Sequence, residues 1–416
     1  MEDILDFGRI ILVVAGALSI AIFVRVFASR IGLPTAALLL IVAAVVSEFS
    51  DRLASLLTFQ DVQRVATLAL IAILFDGGTS IGLKKFRTAA VPITILGVVG
   101  TFATAPLVAV AAHYLLGFDW TVSLLIGAAL APTDPAVTFS VLAGKEVEGR
   151  SGTILEGESG FNDPVGIALM IGMIELAVHP SAGIADVAWE FLQEMGIGLA
   201  VGAVAGVVML QAVRRVPLPD GSLYPLAVIL GAGVVYGLAA VCHGSGFLAV
   251  FVAGIVIGDA QIPKHVEVRH FQSALANLGE LAVFVALGLT VDLGYILSGS
   301  LWWEGLLLAF ILGFVVRPLV VSPLLLPSRL TRGERLFVTW AGLKGAVPIL
   351  LASLAVVAHT EDANQIYGIV FVVVLFSVVV QGTLVPRVAE RLGVPMVDSE
   401  PAEVPAHRAA EPAAQS

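Results

Sequence analysis

Charged residues are scarce in this sequence, and cysteine is almost absent. Asp, Glu, Lys and Arg together make up 13% of the 416 residues, about half the share expected of a soluble domain. A soluble enzyme, a nucleic-acid-binding protein or a disordered scaffold needs a more strongly charged surface, so the composition excludes these three classes. Cys242 is the only cysteine, which excludes intramolecular disulfides and cysteine-rich metal sites.

Hydrophobic residues, in contrast, make up 58% of the chain, and the mean hydropathy is +0.99. They form long continuous runs, whereas the strands of a membrane β-barrel alternate apolar and polar residues over about 10 positions. A helix needs about 20 apolar residues to cross a bilayer. The sequence therefore predicts an all-α polytopic membrane protein with about 13 transmembrane helices. The candidate spans are 8–28, 33–48, 63–79, 88–116, 121–142, 151–177, 190–214, 222–242, 245–260, 270–290, 297–325, 333–358 and 364–388.

The basic residues predict how the chain crosses the membrane. With these spans, most of the 22 Lys and Arg residues fall in the odd-numbered loops and the C-terminal segment. Cytoplasmic loops carry the excess of Lys and Arg. We therefore expect a multi-pass protein of the cell (inner) membrane with its N-terminus outside and its C-terminus in the cytoplasm. Residues 1–392 form the transmembrane domain, and residues 393–416, rich in Ala, Pro and Glu, form a disordered cytoplasmic tail with no soluble regulatory domain after it.

Two predicted spans are interrupted by Gly or Pro together with a charged residue. Span 5 is broken at 132–135 (Pro-Thr-Asp-Pro), and span 12 is broken at 342–348 (Gly-Leu-Lys-Gly-Ala-Val-Pro). The two spans are seven apart, and an odd offset places the second copy upside down. Matching broken segments in inverted halves are typical of transporter binding sites. The pattern predicts an inverted-topology repeat with two broken crossing helices. The alternative is that Gly and Pro are simply common in membrane helices.

Each break carries a charge that needs a role, because an ionisable residue at the bilayer centre costs at least ~2.5–3.5 kcal/mol. Asp134 would neutralise the positive N-terminal end of a broken helix, and it could also bind a cation directly. Both interpretations of Asp134 stay open. Lys344 lies at the opposite break, where neutralising a negative helix C-terminus is the favoured interpretation.

The sixth span carries a polar cluster in the middle of the predicted membrane region. Glu158, Ser159, Asn162 and Asp163 are spaced so that they lie on about one face of a helix. Their oxygen atoms are hard ligands suited to a small cation that has lost its water. Because a carboxylate can hold either a cation or a proton, such a site can exchange one for the other. A polar clamp between helices is the alternative, but it would not need two acids so close together.

Arg317 lies within a long apolar span and is too deep to reach the surface easily, so it should pair with an acid. We expect its partner to be Glu158, as a fixed structural pair. Asp163 would then be the acid that titrates.

The sequence resembles the monovalent cation/proton antiporters, and within them the NhaP-like members and the cell-volume-regulation type K⁺/H⁺ antiporters. The resemblance covers nearly the whole membrane part. The motifs that carry it are 74–78 (Leu-Phe-Asp-Gly-Gly), 131–135 (Ala-Pro-Thr-Asp-Pro), Gly157-Glu158-Ser159 followed by Asn162-Asp163, Arg317-Pro318, and 342–348. Each is short, but in this order and on these spans they are highly specific.

The resemblance implies a thirteen-helix fold with a dimerisation region and a moving core region, and therefore a homodimer. It implies that the ion ligands are Thr133, Asp134, Glu158, Ser159 and Asp163, with the monovalent cation held at Asp163, Asp134 and Ser159. It also implies supporting roles for Asn162, Arg317 and Lys344, the first two beside Glu158.

Two features bear on subtype. Asn162 before Asp163 resembles the electroneutral members. Lys344 stands where many relatives have Arg, which keeps the charge but loses the planar fork.

The predicted function is secondary active exchange of Na⁺ or K⁺ for protons, electroneutral, serving pH and cation homeostasis, with no cofactor and no nucleic-acid partner. The same oxygen ligands serve both cations, so the choice between them stays open. A cation-coupled solute symporter is one alternative. An intramembrane serine protease is another, because 157–160 reads Gly-Glu-Ser-Gly, but the seven histidines fall at or beyond span ends, where none can act as base.

Overall fold

The computed structural model describes residues 2–31, 33–49, 57–134, 137–138, 142, 145–179 and 183–398, and these are nearly all helical. The helices are α1 (Glu2–Ile31), α2 (Thr35–Glu48), α3 (Phe59–Thr94), α4 (Thr101–Leu116), α5 (Trp120–Leu130), α6 (Gly149–Val178), α7 (Ile184–Arg215), α8 (Leu223–Val241), α9 (Gly246–Gly258), α10 (His265–Leu289), α11 (Leu293–Ser298), α12 (Leu301–Ile311), α13 (Arg317–Leu324), α14 (Arg332–Ala341), α15 (Ala346–Val357), α16 (Ala363–Phe376) and α17 (Thr383–Leu392). Three π-helical segments, Ile95–Gly100, Leu312–Val316 and Ser377–Gly382, join α3 to α4, α12 to α13 and α16 to α17.

Within the described residues, eight helical segments are long and apolar enough to cross a membrane. The first, Phe59–Leu116, has 58 residues and would be roughly 87 Å long if straight, nearly three times the hydrocarbon core of a bilayer. Four shorter apolar helices accompany the eight: Val14–Ala28, Thr35–Glu48, Trp120–Leu130 and Gly246–Gly258. The predicted class, an all-helical polytopic membrane protein, is therefore confirmed.

The double-length segment is interrupted at Gly82. This residue has φ +63°, so helical geometry stops and restarts there. A side chain at this position would meet the Asp259 carboxylate, and that carboxylate accepts a hydrogen bond from the backbone N–H of Lys84. Asp259, just after α9, thus satisfies a free backbone donor at the start of the second half of α3. The predicted boundary between spans 3 and 4 falls at this interruption.

Helix α9 is short because it lies inside the protein. Most of its residues are buried, and it packs tightly against α3. A side chain at Gly78 would overlap the Phe251 carbonyl, and one at Gly254 would collide with Phe75. Small residues that allow two backbones to approach closely are the usual means of packing helices in membranes. This contact fixes α3 and α9 beside α6.

Two helices are broken where the sequence predicts it. Helix α5 ends at Leu130, and residues 131–134 are not helical. Helix α14 ends at Ala341, and residues 342–345 are not helical before α15 begins. The two breaks meet, since the Asp134 N–H donates a hydrogen bond of 2.8 Å to the Leu343 carbonyl.

The first residues after α17 pair with the segment before α6. Strand β1 (Lys145–Val147) pairs antiparallel with β2 (Met396–Asp398), with Lys145 opposite Asp398. The Glu148 N–H also donates to the Pro395 carbonyl (2.9 Å), and Val394 is buried. The backbone of residues 395–398 therefore has hydrogen-bond partners in the segment before α6. Residues 399–416 lie outside the described residues.

Candidate cation site

Lys344 neutralises the C-terminal end of α5. Its ammonium donates to the carbonyls of Ala131 (2.9 Å) and Pro132 (2.7 Å), and its side chain is buried. The last carbonyls of a helix have no partner within the helix and carry its negative end. The structure thus places Lys344 against the helix end that the sequence analysis assigned to it.

Asp134 makes the reciprocal contact at the N-terminus of α15. Its Oδ2 accepts from the Ala346 N–H at 3.4 Å. A side chain at Gly345 would overlap the Asp134 carboxylate, so glycine is required for this approach. The negative carboxylate faces the positive end of α15. The two breaks therefore compensate each other. Lys344 of one break neutralises the C-terminus of α5, and Asp134 of the other break neutralises the N-terminus of α15.

Glu158 and Arg317 form the expected buried ion pair between α6 and α13. The guanidinium nitrogens lie 3.1–3.3 Å from the two carboxylate oxygens, and the residues are 3% and 6% exposed. Arg317 also donates to the Thr339 carbonyl (2.9 Å) and the Val338 carbonyl (3.3 Å). A side chain at Gly342 would overlap the guanidinium. Arg317 is thus held on all sides in a narrow space beside α14.

Asn162 hydrogen-bonds to the α5 break. Its amide nitrogen donates to the Thr133 hydroxyl at 2.7 Å, and the Ser159 hydroxyl donates to the Thr133 carbonyl at 2.8 Å. The reason is that Thr133 lies in the non-helical segment beside α6, within reach of Asn162, while the longer Glu158 side chain turns to Arg317. Asn162 and Ser159 therefore hold the α5 break in place. The Ser159 hydroxyl donates to a carbonyl and not to a histidine base, which argues against the protease interpretation.

Asp163 is the second acid of the polar cluster on α6. It is 5% exposed, and its Oδ1 atom is buried with no hydrogen-bond partner among the described residues. Buried polar atoms are normally satisfied, so this oxygen atom is available to a ligand such as a cation or a proton. Ser159 lies one helical turn before Asp163 on the same face of α6.

A cavity of about 380 Å³ brings part of the predicted site together. Asp134, Ser159 and Asp163 line it. Glu158 and Thr133, although predicted as ion ligands, are not among its lining residues. Helix α6 therefore has two polar sides. Glu158 and Asn162 contact α13 and the α5 break, whereas Ser159 and Asp163 line the cavity.

The cavity has further polar lining residues that sequence reasoning did not assign to the site. They are Arg25, Asp76, Ser80, Glu156, Ser273, Asn277 and Glu280. The Asp76 carboxylate accepts a hydrogen bond from the Ser273 hydroxyl (3.0 Å), so the predicted motif at 74–78 does reach the cavity. Ser273, Asn277 and Glu280 are spaced in steps of four and three and so lie on one face of α10. The first two turns of that helix also carry His265, Glu267, Arg269 and His270, so the stripe does not stand out in the sequence.

Sequence comparisons relate this chain to a known protein family. The family model for the transmembrane region described as "Sodium/hydrogen exchanger" matches residues 17–391. The K⁺/H⁺ antiporter NhaP of Alkalimonas amylolytica is 34% identical over 387 residues, covering 92% of this chain and 66% of that protein. The K⁺/H⁺ antiporter NhaP2 of Shewanella sp. strain ANA-3 is 30% identical over 367 residues, covering 88% of this chain and 63% of that protein.

The fold is also that of a solved structure. The sodium proton antiporter MjNhaP1 from Methanocaldococcus jannaschii superposes with a TM-score of 0.77 at 22% identity, covering 92% of this chain and 100% of that one. The present chain therefore has the complete fold of that protein, whereas it spans about two thirds of the length of the two relatives named above.

Proposed function

Because this chain belongs to the sodium/hydrogen exchanger family of transmembrane proteins, we propose that it is a secondary active antiporter that exchanges a monovalent cation for protons. The observation that carries the proposal is Asp163, a buried carboxylate with an unpaired oxygen in a cavity. The other central charges already have partners: Glu158 has Arg317, and Lys344 has the end of α5. Asp163 is the group that a cation or a proton would neutralise.

The proposed cation ligands are Asp163, Asp134 and Ser159, with Thr133 and Glu158 beside them. Carboxylate and hydroxyl oxygens are the hard ligands that a monovalent cation prefers after losing part of its water. When the cation leaves, a proton takes its place on Asp163. One residue thus binds both substrates, and neither can be carried without displacing the other.

Charge counting makes the exchange electroneutral. Glu158 and Arg317 cancel each other, and Asp134 faces the positive end of α15. Asp163 with a bound monovalent cation is neutral, and so is protonated Asp163. A full cycle therefore moves one cation against one proton with no net charge.

The proposed architecture has thirteen crossings arranged as an inverted-topology repeat, with α5 and the α14–α15 pair as its two broken crossing helices. The interrupted 58-residue segment, long enough for two crossings, and the four shorter apolar helices support this number. The contact between the two breaks supports their placement side by side. We place the N-terminus outside and the C-terminus in the cytoplasm of a bacterial-type inner membrane, and we expect a homodimer.

Na⁺ and K⁺ are both proposed substrates, since the relatives are named K⁺/H⁺ antiporters and the solved structure is titled a sodium proton antiporter. Inside-out membrane vesicles with an imposed pH gradient distinguish them. Addition of Na⁺, K⁺ or Li⁺ in turn should collapse the gradient for at least one cation, and vesicles that contain the Asp163→Asn variant should not respond. A gradient that survives all three cations in wild-type vesicles would contradict antiport.

A further inference from the structure

The cavity also has a polar wall formed by one face of α10. Ser273, Asn277 and Glu280 line it, and their spacing puts them on a single stripe along the helix. Ser273 is bonded to Asp76 on α3 (3.0 Å), and Asn277 accepts a hydrogen bond from Arg25 on α1 (2.9 Å). Three helices therefore contribute connected polar groups to this wall.

Glu280 differs from its neighbours on the stripe. It is partly buried, and it makes no hydrogen bond to any described residue. It does lie close enough to Asp134 and to Arg25 to interact electrostatically with both. A carboxylate in this position needs a positive charge near it, because isolated charges in the membrane interior are expensive.

Arg25 is the basic residue that lines the described cavity. It is exposed, and it is tied to Asn277 at one side of the cavity. Its charge attracts Glu280 but repels any cation that enters. Glu280 and Arg25 therefore act on an entering cation with opposite signs.

A second observation indicates that this space holds a ligand. The unpaired Oδ1 atom of Asp163, itself buried, belongs to a residue that lines the same cavity. Of these lining residues, Arg25 is exposed, Glu280 is partly buried and Asp163 is buried, an order that a cation entering from the exposed side would follow.

We propose that Glu280 is a further cation-contacting residue, on which an entering cation rests before it reaches Asp163, and that Arg25 sets the affinity of this step by opposing it. The inference rests on the proposed function, because it assumes that cations enter this cavity. Glu280 replaces part of the water that the cation loses on entry. Arg25 prevents the cavity from holding the cation too tightly for release.

The test compares Glu280→Gln and Arg25→Gln in proteoliposomes, with the apparent KM for the transported cation as the readout. Removing one unit charge from a partly hydrated cavity should change that KM by roughly fivefold. We expect Glu280→Gln to raise the KM, Arg25→Gln to lower it, and the double variant to return close to the wild-type value. Glu280→Asp, which keeps the charge, should restore most of the affinity.

The control is Glu267→Gln on the same helix. Glu267 is exposed, is paired with Lys264 (3.0 Å) and does not line the cavity, so its loss should leave the KM unchanged at ~0.15 M salt, where surface charges are screened. If the wall has only a structural role, Glu280→Gln and Arg25→Gln should both raise the KM. That result would overturn the proposal. A folded Glu280→Gln protein with the wild-type KM would also overturn the proposal.

Cation-dependent thermal stabilisation of the purified proteins gives a readout independent of transport. If wild-type protein binds cations but exchanges none, the antiport proposal fails, and the opposite shifts in binding for the two variants still support the Glu280 assignment. If the Glu280→Gln variant does not fold, cation binding by the Arg25→Gln and Glu280→Asp variants tests the proposal instead. Arg25→Gln that fails to tighten cation binding, or Glu280→Asp that binds no cation, would contradict the inference.

Discussion

Replacing Arg317 with alanine would leave the Glu158 carboxylate buried without its counter-charge. Three nitrogen–oxygen contacts of 3.1–3.3 Å would be lost. The carbonyls of Thr339 and Val338 would lose their donors as well. Removal of one partner of a buried ion pair costs about 3–5 kcal/mol, because the remaining charge is uncompensated. We therefore expect the free energy of unfolding of Arg317→Ala to fall by at least this amount.

The assay is thermal unfolding of the purified protein in detergent. For 416 residues, the unfolding entropy corresponds to roughly 0.9 kcal/mol per degree, so the midpoint should fall by roughly 3–6 °C. The Glu158→Gln change in the Arg317→Ala background removes the stranded charge and should restore a large part of that loss. Arg317→Lys keeps the charge but loses the planar fork, and it should lie between the two.

Additive effects of the two substitutions on the unfolding midpoint would contradict the ion pair. If Glu158→Gln lowers the midpoint equally in the wild-type and Arg317→Ala backgrounds, the two residues are not energetically coupled. In that case the pair would not be the structural element that frees Asp163 to act alone.

Two further variants test the site. Asp163→Asn should fold normally and abolish cation-dependent dissipation of a pH gradient, since an amide carries no exchangeable charge; retained exchange would exclude Asp163 as the exchanging group. Gly345→Ala should displace the Asp134 carboxylate from the N-terminus of α15, lowering stability by ~1–2 kcal/mol and raising the apparent KM for the cation. Gly233→Ala, where no atom lies within 4 Å of the new side chain, is its matched control, and equal effects of both substitutions would argue against the role of Asp134.

Sequence reasoning predicted those parts of the site where a charge lies in the low-dielectric interior. An unpaired charge is costly there, so few residues can be its partner. A buried Arg317 needs an acid, and Glu158 is a buried acid within a predicted span. Lys344 and Asp134 lie at Gly- and Pro-rich breaks, where exposed helix ends require opposite charges. In both cases the physics restricts the partner strongly enough that residue type and span position are sufficient.

The parts that were missed depend on side-chain direction or on distant backbone pairing. Asn162 and Glu158 share a face of α6, but side-chain length decides that one reaches Thr133 and the other Arg317. Glu280 was left unassigned because nothing local indicates that its helix lines the same cavity as Asp163. The strand pairing of 396–398 with 145–147 joins segments far apart in the chain, which the composition of a tail does not reveal.

Dependence of transport on membrane potential tests most directly the central claim that one carboxylate, Asp163, exchanges one cation for one proton. In proteoliposomes, Na⁺-driven proton movement is measured with and without a potential clamped by valinomycin and K⁺. We expect the same rate and the same end point of proton movement in both cases, because Asp163 is neutral both with a bound cation and with a proton. A clear dependence on the potential would contradict it and would mean that a second acid, Glu158 or Asp134, also releases its proton in the cycle.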